Sequence, residues 1–343
     1  MELGITTFAE TVPDPDTGHI VDSGTRLRQV VEEIEVAEKV GLAVFGVGEH
    51  HRPDFASSAP AVVLAAAAAR TEVIRLAPAV TVLSSDDPVR VFQQFATLDL
   101  LSSGRAELLV GRGSFIESFP LFGQSLGDYE ELFEEKLDLL LAIRDNEKVT
   151  WSGKFRAPLD EAGVYPRPQQ TPLPIWVGVG GSPGSMVRAG SRGLPVALAI
   201  IGGDPERFAV LGDIYRRALA EAGHDPDSLP LAVHAHGYIG EDAEKAADEY
   251  YPSYAIAMSR LGRERGWGPM TRMQFDAMRT PAGSLVLGNP EQVAAKILRW
   301  QEVLGIERFM LHISVGTLPH AKVLRSIELL GTEVAPLVEQ GRR

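Results

Sequence analysis

Three short segments bring together residue types that do chemistry. In Gly48-Glu49-His50-His51 a carboxylate adjoins two imidazoles. Histidine exchanges protons near neutral pH, and Glu49 could orient a ring or raise its pKa. The same groups could ligate a metal, but adjacent strand residues face opposite ways, so at most one imidazole is well placed. In Gly111-Arg112-Gly113 a fixed positive charge sits between glycines. Arg112 either clamps phosphate oxygens through its planar fork or is a surface arginine in a turn. In Gly178-Val179-Gly180-Gly181-Ser182-Pro183-Gly184-Ser185 small residues lead from a strand into a helix. Backbone N–H groups there, with the Ser182 and Ser185 hydroxyls, suit one phosphate; the alternative is a turn with a serine N-cap. No Gly-Lys-Ser/Thr follows, so this is not a Walker loop.

Two further places carry weaker signals. His234-Ala235-His236 puts two rings on one strand face, and His312 stands on a later strand. Binuclear metallohydrolase barrels carry such a pair on the first strand, where this chain has none, so polar residues lining or flanking a barrel are the better reading and no metal is expected. Residues 77–83, Ala-Pro-Ala-Val-Thr-Val-Leu, end in small apolar side chains against which a flat ring could lie. Taken alone they are a buried strand.

The elements that must position these residues alternate along the chain. Apolar runs at 3–8, 43–49, 74–83, 105–111, 175–180, 195–201, 231–239 and 308–313 read as strands. Helical patterns fall between them at about 25–40, 59–70, from 88, 129–144, from 183, 205–222, 291–304 and 320–330. Residues 151–174, rich in Pro and Gly, read as a long connection with room for a hairpin. Eight strand–helix units predict an α/β fold, a (β/α)8 TIM barrel with insertions, whose active site lies on the loops after the strands. Residues 1–343 read as one barrel domain, and the irregular stretch at about 249–283, with Arg263, Arg265, Trp267 and several Met, is the candidate lid.

Composition narrows the function classes. Hydrophobic residues make up 45% and charged residues 23% of the 343, as in soluble globular proteins. No apolar stretch approaches the roughly 20 residues of a membrane span. The first residues lack a secretion signal and cysteine is absent, which together predict a cytoplasmic protein without disulfides or a cysteine nucleophile. The net charge of −13 and the lack of a Lys/Arg-rich run with aromatics argue against nucleic acid.

Set in chain order, the Gly48-Glu49-His50-His51 segment, residues 77–83 with Asp87-Pro88-Val89-Arg90, Phe95-Ala96-Thr97-Leu98-Asp99 with Ser103-Gly104-Arg105, Val110-Gly111-Arg112-Gly113, Arg192-Gly193-Leu194-Pro195 and Gly288-Asn289-Pro290-Glu291-Gln292-Val293 resemble the bacterial luciferase-like flavin-dependent oxidoreductases. The likeness runs from residue 1 to the C-terminus. It implies FMN in the barrel mouth, its phosphate on Arg112, Ser182 and Ser185 with Gly181 contributing backbone, and its ring near a non-proline cis peptide at Ala79–Val80. It implies that His50, with Glu49 beside it, acts next to the flavin. The light-emitting members have a cysteine where this chain has Gly111 and an acid where it has Gly181, which argues against light emission.

The resemblance thus predicts a monooxygenase using reduced FMN and O2 on a small organic substrate, with a separate reductase supplying the flavin because no Rossmann fingerprint is present. The alternatives are an F420-dependent enzyme transferring hydride and a flavin-binding protein without turnover. The resemblance also implies a homodimer; the apolar faces of the helices at 59–69 and after Pro88 either form its contact surface or pack on the barrel.

Overall fold

The computed structural model describes residues 1–113 and 115–342. Its barrel strands are β1 (Glu2–Thr7), β2 (Val44–Val47), β3 (Arg75–Pro78, resuming at Thr81–Val82), β4 (Leu108–Gly111), β5 (Ile175–Val179), β6 (Val196–Ile200), β7 (Leu231–Ile239) and β8 (Arg308–His312). All pair in parallel in the order β3-β2-β1-β8-β7-β6-β5-β4. β3 returns to β4 through a Leu76–Ala106 bridge and the pairs Thr81–Val110 and Val82–Gly111, which closes the ring. The predicted TIM barrel is therefore the fold.

Parallel strands buried on both faces divide the apolar residues in two. The main core, with Ile5, Phe45, Leu76, Leu108, Val177, Leu198, Val233 and Phe309, lies between strands and helices. Inside the ring are two small clusters, Leu109–Trp176–Ala197–Ala232 and Val44–Ala77–Met310. Below them Arg308 forms a fork on Glu107, at 2.5 and 3.0 Å, with its guanidinium 4.4 Å from the Trp176 ring centre. Buried charge of this kind is tolerated because both partners are hydrogen-bonded.

Several predicted elements are shorter than read. β3 is interrupted at the cis Ala79–Val80 bond. β4 starts at Leu108 rather than 105: residues 105–107 meet β3 only through the single bridge at Leu76, while the Arg105 guanidinium bonds the carbonyls of Ala68, Thr71, Ile74 and Ser102. Residues 151–174 do hold part of a hairpin, Leu159–Gly163, paired antiparallel to Lys148–Trp151.

The stretch at 249–283 is not irregular. It is mostly helical: Ala243–Glu264, then Arg272–Arg279. Asp242 caps the first helix by accepting the Lys245 N–H, and Ala246, Ala247, Tyr250, Tyr254 and Met258 form its buried stripe. Pro252 inside the helix hid that period, since proline in a helical pattern reads as a break. No helix among the described residues is long and apolar enough to cross a membrane.

Candidate active site

The C-terminal strand ends surround a cavity of about 540 Å³. After β2 the chain turns back on itself: the His50 N–H donates to the Ser57 carbonyl and the Ser57 hydroxyl to the Gly48 carbonyl, both at 2.9 Å. This fixes His50 at the cavity wall, 8% exposed. Its ring stacks on Phe55 at 4.2 Å and meets the edges or faces of Phe8 and Phe115 at 4.7 and 4.8 Å. The nearest carboxylate is Glu117, with Oε1 3.9 Å from His50 Nδ1. Burial opposes ionisation of Glu117, yet the His50 ring and nearby backbone N–H groups outweigh it and hold the carboxyl below the usual carboxylate range.

Glu49 does not bond to His50. Its Oε1 lies 2.9 Å from His51 Nε2 and its Oε2 accepts the Val82 N–H at 3.0 Å. The hydrogen bond to Glu49 raises the His51 pKa against the opposing effect of burial. Because β2 ends at Val47, the strand rule that would point the two histidines apart does not apply, and both line the cavity.

Ala79 and Val80 line the same cavity from the break in β3. Val80 packs on the inner cluster of Leu109, Trp176, Ala197 and Ala232. Glycines on the two next strands admit it: a Cβ on Gly111 would come within 2.7 Å of a Val80 methyl, and one on Gly178 within 2.8 Å. Both separations are below any real carbon–carbon contact, so these positions exclude larger residues while Val80 keeps its place.

Arg112 lies on the cavity edge and reaches toward the helix Pro183–Ser191. Its Nη2 donates to Ser185 Oγ at 3.0 Å, its Nη1 to Glu130, and its guanidinium stands 5.1 Å from the Tyr129 ring centre. Arg188 joins them, donating to Ser185 Oγ at 3.4 Å and to Glu130 at 2.7 Å. Ser182 is the exposed N-cap residue of that helix, after Gly181 in the left-handed region at φ +100°. Arg112 and Ser185 are thus joined directly, whereas Ser182 and Gly181 stand one turn away at the helix start.

Three further histidines, His234, His236 and His312, line the inner wall. Burial, with His312 nearby, pushes His234 and His236 down to about 3, so both are neutral. His312 is tied at Nδ1 to Thr6 Oγ1 (3.1 Å) and at Nε2 to Glu10 (3.0 Å). Sequence reasoning missed Glu10, Glu117, Arg188 and the ring cage of Phe8, Phe55 and Phe115. Arg188 was within reach, since it follows Ser185 by three residues and therefore shares its helix face. The others are brought in by loops and carry no spacing signal.

A sequence profile of the luciferase-like monooxygenases matches residues 1–307. The chain belongs to that family. One relative of this luciferase-like chain is limonene 1,2-monooxygenase of Rhodococcus erythropolis, 26% identical over 326 residues, covering 92% of this chain and 82% of the other. Among solved structures, the monooxygenase RslO1 of Streptomyces bottropensis superposes with a TM-score of 0.84 at 23% identity, over 98% of this chain and 99% of that one. The oxygenating constituent of 3,6-diketocamphane monooxygenase from Pseudomonas putida, in complex with FMN, gives 0.79 at 22%, covering 98% of each. An F420-dependent secondary alcohol dehydrogenase gives 0.77 at 21%, again over 98% of each. At these identities the structural likeness speaks for the fold, and the family match makes the chain an oxidoreductase relative.

Proposed function

We propose that this protein is an FMN-dependent monooxygenase that uses reduced FMN and O2 on a small organic substrate. The observation that carries the reading is that Arg112, at the edge of a cavity whose wall carries His50, meets Arg188 on the Ser185 hydroxyl. Two guanidinium forks and a hydroxyl fit a phosphate monoester in charge and in donor count. The N-terminus of the helix Pro183–Ser191, with Gly181 and Ser182, adds backbone N–H groups that favour the same anion. Ala79 and Val80, with Gly111 and Gly178 kept small beside them, fit a flat ring system.

Bound FMN would supply the two-electron and oxygen chemistry. The chain's own residues supply the setting. Arg112, Arg188, Ser182 and Ser185 hold the phosphate, in place of the contacts that Arg112 and Arg188 make with Glu130. His50, with Glu117 close by, is the group to give or take one proton, and the Phe8, Phe55 and Phe115 rings keep water from it. Glu49 acts as a positioning residue through His51 and the Val82 N–H.

The test is an absorbance titration of the purified protein with FMN and, separately, with F420, followed by oxygen-uptake assays with FMN reduced by a separate reductase. The reading expects saturable FMN binding and substrate-dependent oxygen uptake that His50→Ala lowers by about a hundredfold or more. Failure to bind FMN sinks it. F420 binding with hydride transfer would replace it by the deazaflavin dehydrogenase.

A further inference from the structure

Glu130 touches both arginines that meet at the Ser185 hydroxyl. One of its carboxylate oxygens accepts from Arg112 Nη1 and the other from Arg188 Nη2, the latter at 2.7 Å. The fold sets its place. The helix Tyr129–Asp145 starts beside Arg112, where the Tyr129 hydroxyl donates to the Gly113 carbonyl at 2.7 Å. From there Glu130, Glu134 and Asp138 recur at four-residue spacing and form one stripe of the helix. Arg188 and Arg192, also four apart, face that stripe: Arg188 Nε donates to Glu134 at 2.9 Å, and Arg192 forks onto Asp138 at 2.7 and 3.1 Å.

The Glu134 and Asp138 rungs dock one helix on the other. The Glu130 rung differs, because it reaches past Arg188 to Arg112 on the loop after β4 and so sets a carboxylate on the donors assigned to the phosphate. The Glu130 side chain is 56% exposed, whereas those of Arg112 and Arg188 are 19% and 11% exposed. The cations are therefore held by the protein while the acid is free to swing into water. Its departure undoes no docking, since Arg188 keeps Glu134 and Arg192 keeps Asp138.

We propose that Glu130 is a built-in competitor for the phosphate: it occupies Arg112 and Arg188 until a phosphate displaces it, and it thereby sets how tightly the flavin is held. The inference rests on the reading of Arg112, Arg188 and Ser185 as the phosphate site. Charge decides the exchange. Two guanidinium groups face the Glu130 and Glu134 carboxylates, so the cluster is balanced before any ligand arrives. A phosphate monoester brings nearly two negative charges at pH 7 and three acceptor oxygens, which together outweigh one carboxylate. A phosphodiester brings a single charge, so trading Glu130 for it gains little. The competitor therefore also screens ligands. A monoester is held through its phosphate, whereas a diester is held no better than the same ring without phosphate.

The experiment is a set of fluorescence-quenching titrations at one ionic strength with FMN, riboflavin 4′,5′-cyclic phosphate (a diester) and riboflavin. Wild type should bind FMN more tightly than the other two, which should bind alike. Glu130→Gln should tighten FMN and the cyclic diester by about threefold to tenfold, as two exposed ion-pair contacts allow, and leave riboflavin unchanged. Glu134→Gln removes the same charge without freeing Arg112 and should tighten FMN by less than about twofold. Glu130→Asp keeps the charge but is too short to span both arginines, so it should fall between wild type and Glu130→Gln; should the Gln variant fail to fold, the Asp variant decides. The proposal is overturned if Glu130→Gln leaves FMN unchanged or weakens it, if riboflavin tightens equally, if Glu134→Gln matches Glu130→Gln, or if wild type holds the cyclic diester as tightly as FMN. Arg112→Ala and Arg188→Ala separate the two readings. Losses equal for FMN and riboflavin count against the phosphate site itself, while losses confined to FMN without a gain in Glu130→Gln count against Glu130 alone.

Discussion

Glu49 holds His51 with one carboxylate oxygen, at 2.9 Å, and the backbone of Val82 with the other, at 3.0 Å. One buried side chain thereby ties the loop after β2 to the second half of β3, on either side of the candidate ring site. His51 has a raised pKa because the charged Glu49 favours its protonated form. A raised folded-state pKa contributes stability that is fully present below the unfolded value of about 6.5 and is lost as pH rises through the folded value. Denaturant melts of wild type should therefore fall in midpoint as pH rises above about 6.5 through the His51 titration. Glu49→Gln, which removes the charge, should flatten that fall, and an unchanged pH slope would refute the pairing.

Removing either arginine at the Ser185 hydroxyl should weaken FMN far more than riboflavin, which lacks the phosphate. Hydrogen bonds to charged groups contribute about 1.5–3 kcal/mol, or roughly tenfold to a hundredfold in affinity. Fluorescence-quenching titrations of Arg112→Ala and Arg188→Ala with both ligands check this. Equal losses for FMN and riboflavin would place the phosphate elsewhere.

Gly111→Ala and Gly178→Ala each drive a methyl into the Val80 side chain, at 2.7 and 2.8 Å. Overpacking of this kind costs about 1–3 kcal/mol, so both variants should unfold at lower urea than wild type. Adding Val80→Ala should recover part of the loss in each, because it removes the colliding methyls. A double variant no more stable than the single one would show that another contact limits the site.

Arg52 makes a two-pronged ion pair with Glu264, 2.7 Å on each arm, between the His50 loop and the end of the helix Ala243–Glu264. Both residues line the cavity mouth. The pair is partly exposed, so Glu264→Gln should change global stability by no more than about 1 kcal/mol. Its local effect should be larger: amide exchange over residues 258–266 should quicken. The hydrogen bond from Arg52 lowers the Glu264 pKa despite burial, so in wild type the latch holds above the ordinary carboxylate value and loosens as pH falls through the lowered one. Exchange rates at 258–266 that are the same in wild type and Glu264→Gln would exclude a latch.

Some of this was readable in the chain. Apolar period is a local property, so the eight strands and most helices appear in sequence at nearly their observed places, and their number favoured a closed ring. Family segments in order marked the Ala79–Val80 bond, which is cis. The helix Ala243–Glu264 was lost because Pro252 interrupts the pattern while the buried stripe on either side keeps it helical.

The site was legible as residue types and strand ends, not as partnerships. Sequence alone determined that carboxylate, imidazole, arginine and serine groups follow strands and so gather at one barrel mouth, since every parallel strand delivers its C-terminal loop to the same side. Only the tertiary structure decided that Glu49 serves His51 while Glu117 stands by His50, that Arg188 joins Arg112 on Ser185, and that His236 is left unpaired beside a saturated His312. Those pairings depend on barrel register and on where loops fold back, both set by contacts between residues up to 307 positions apart, as for Thr7 and Ser314. No local pattern encodes them.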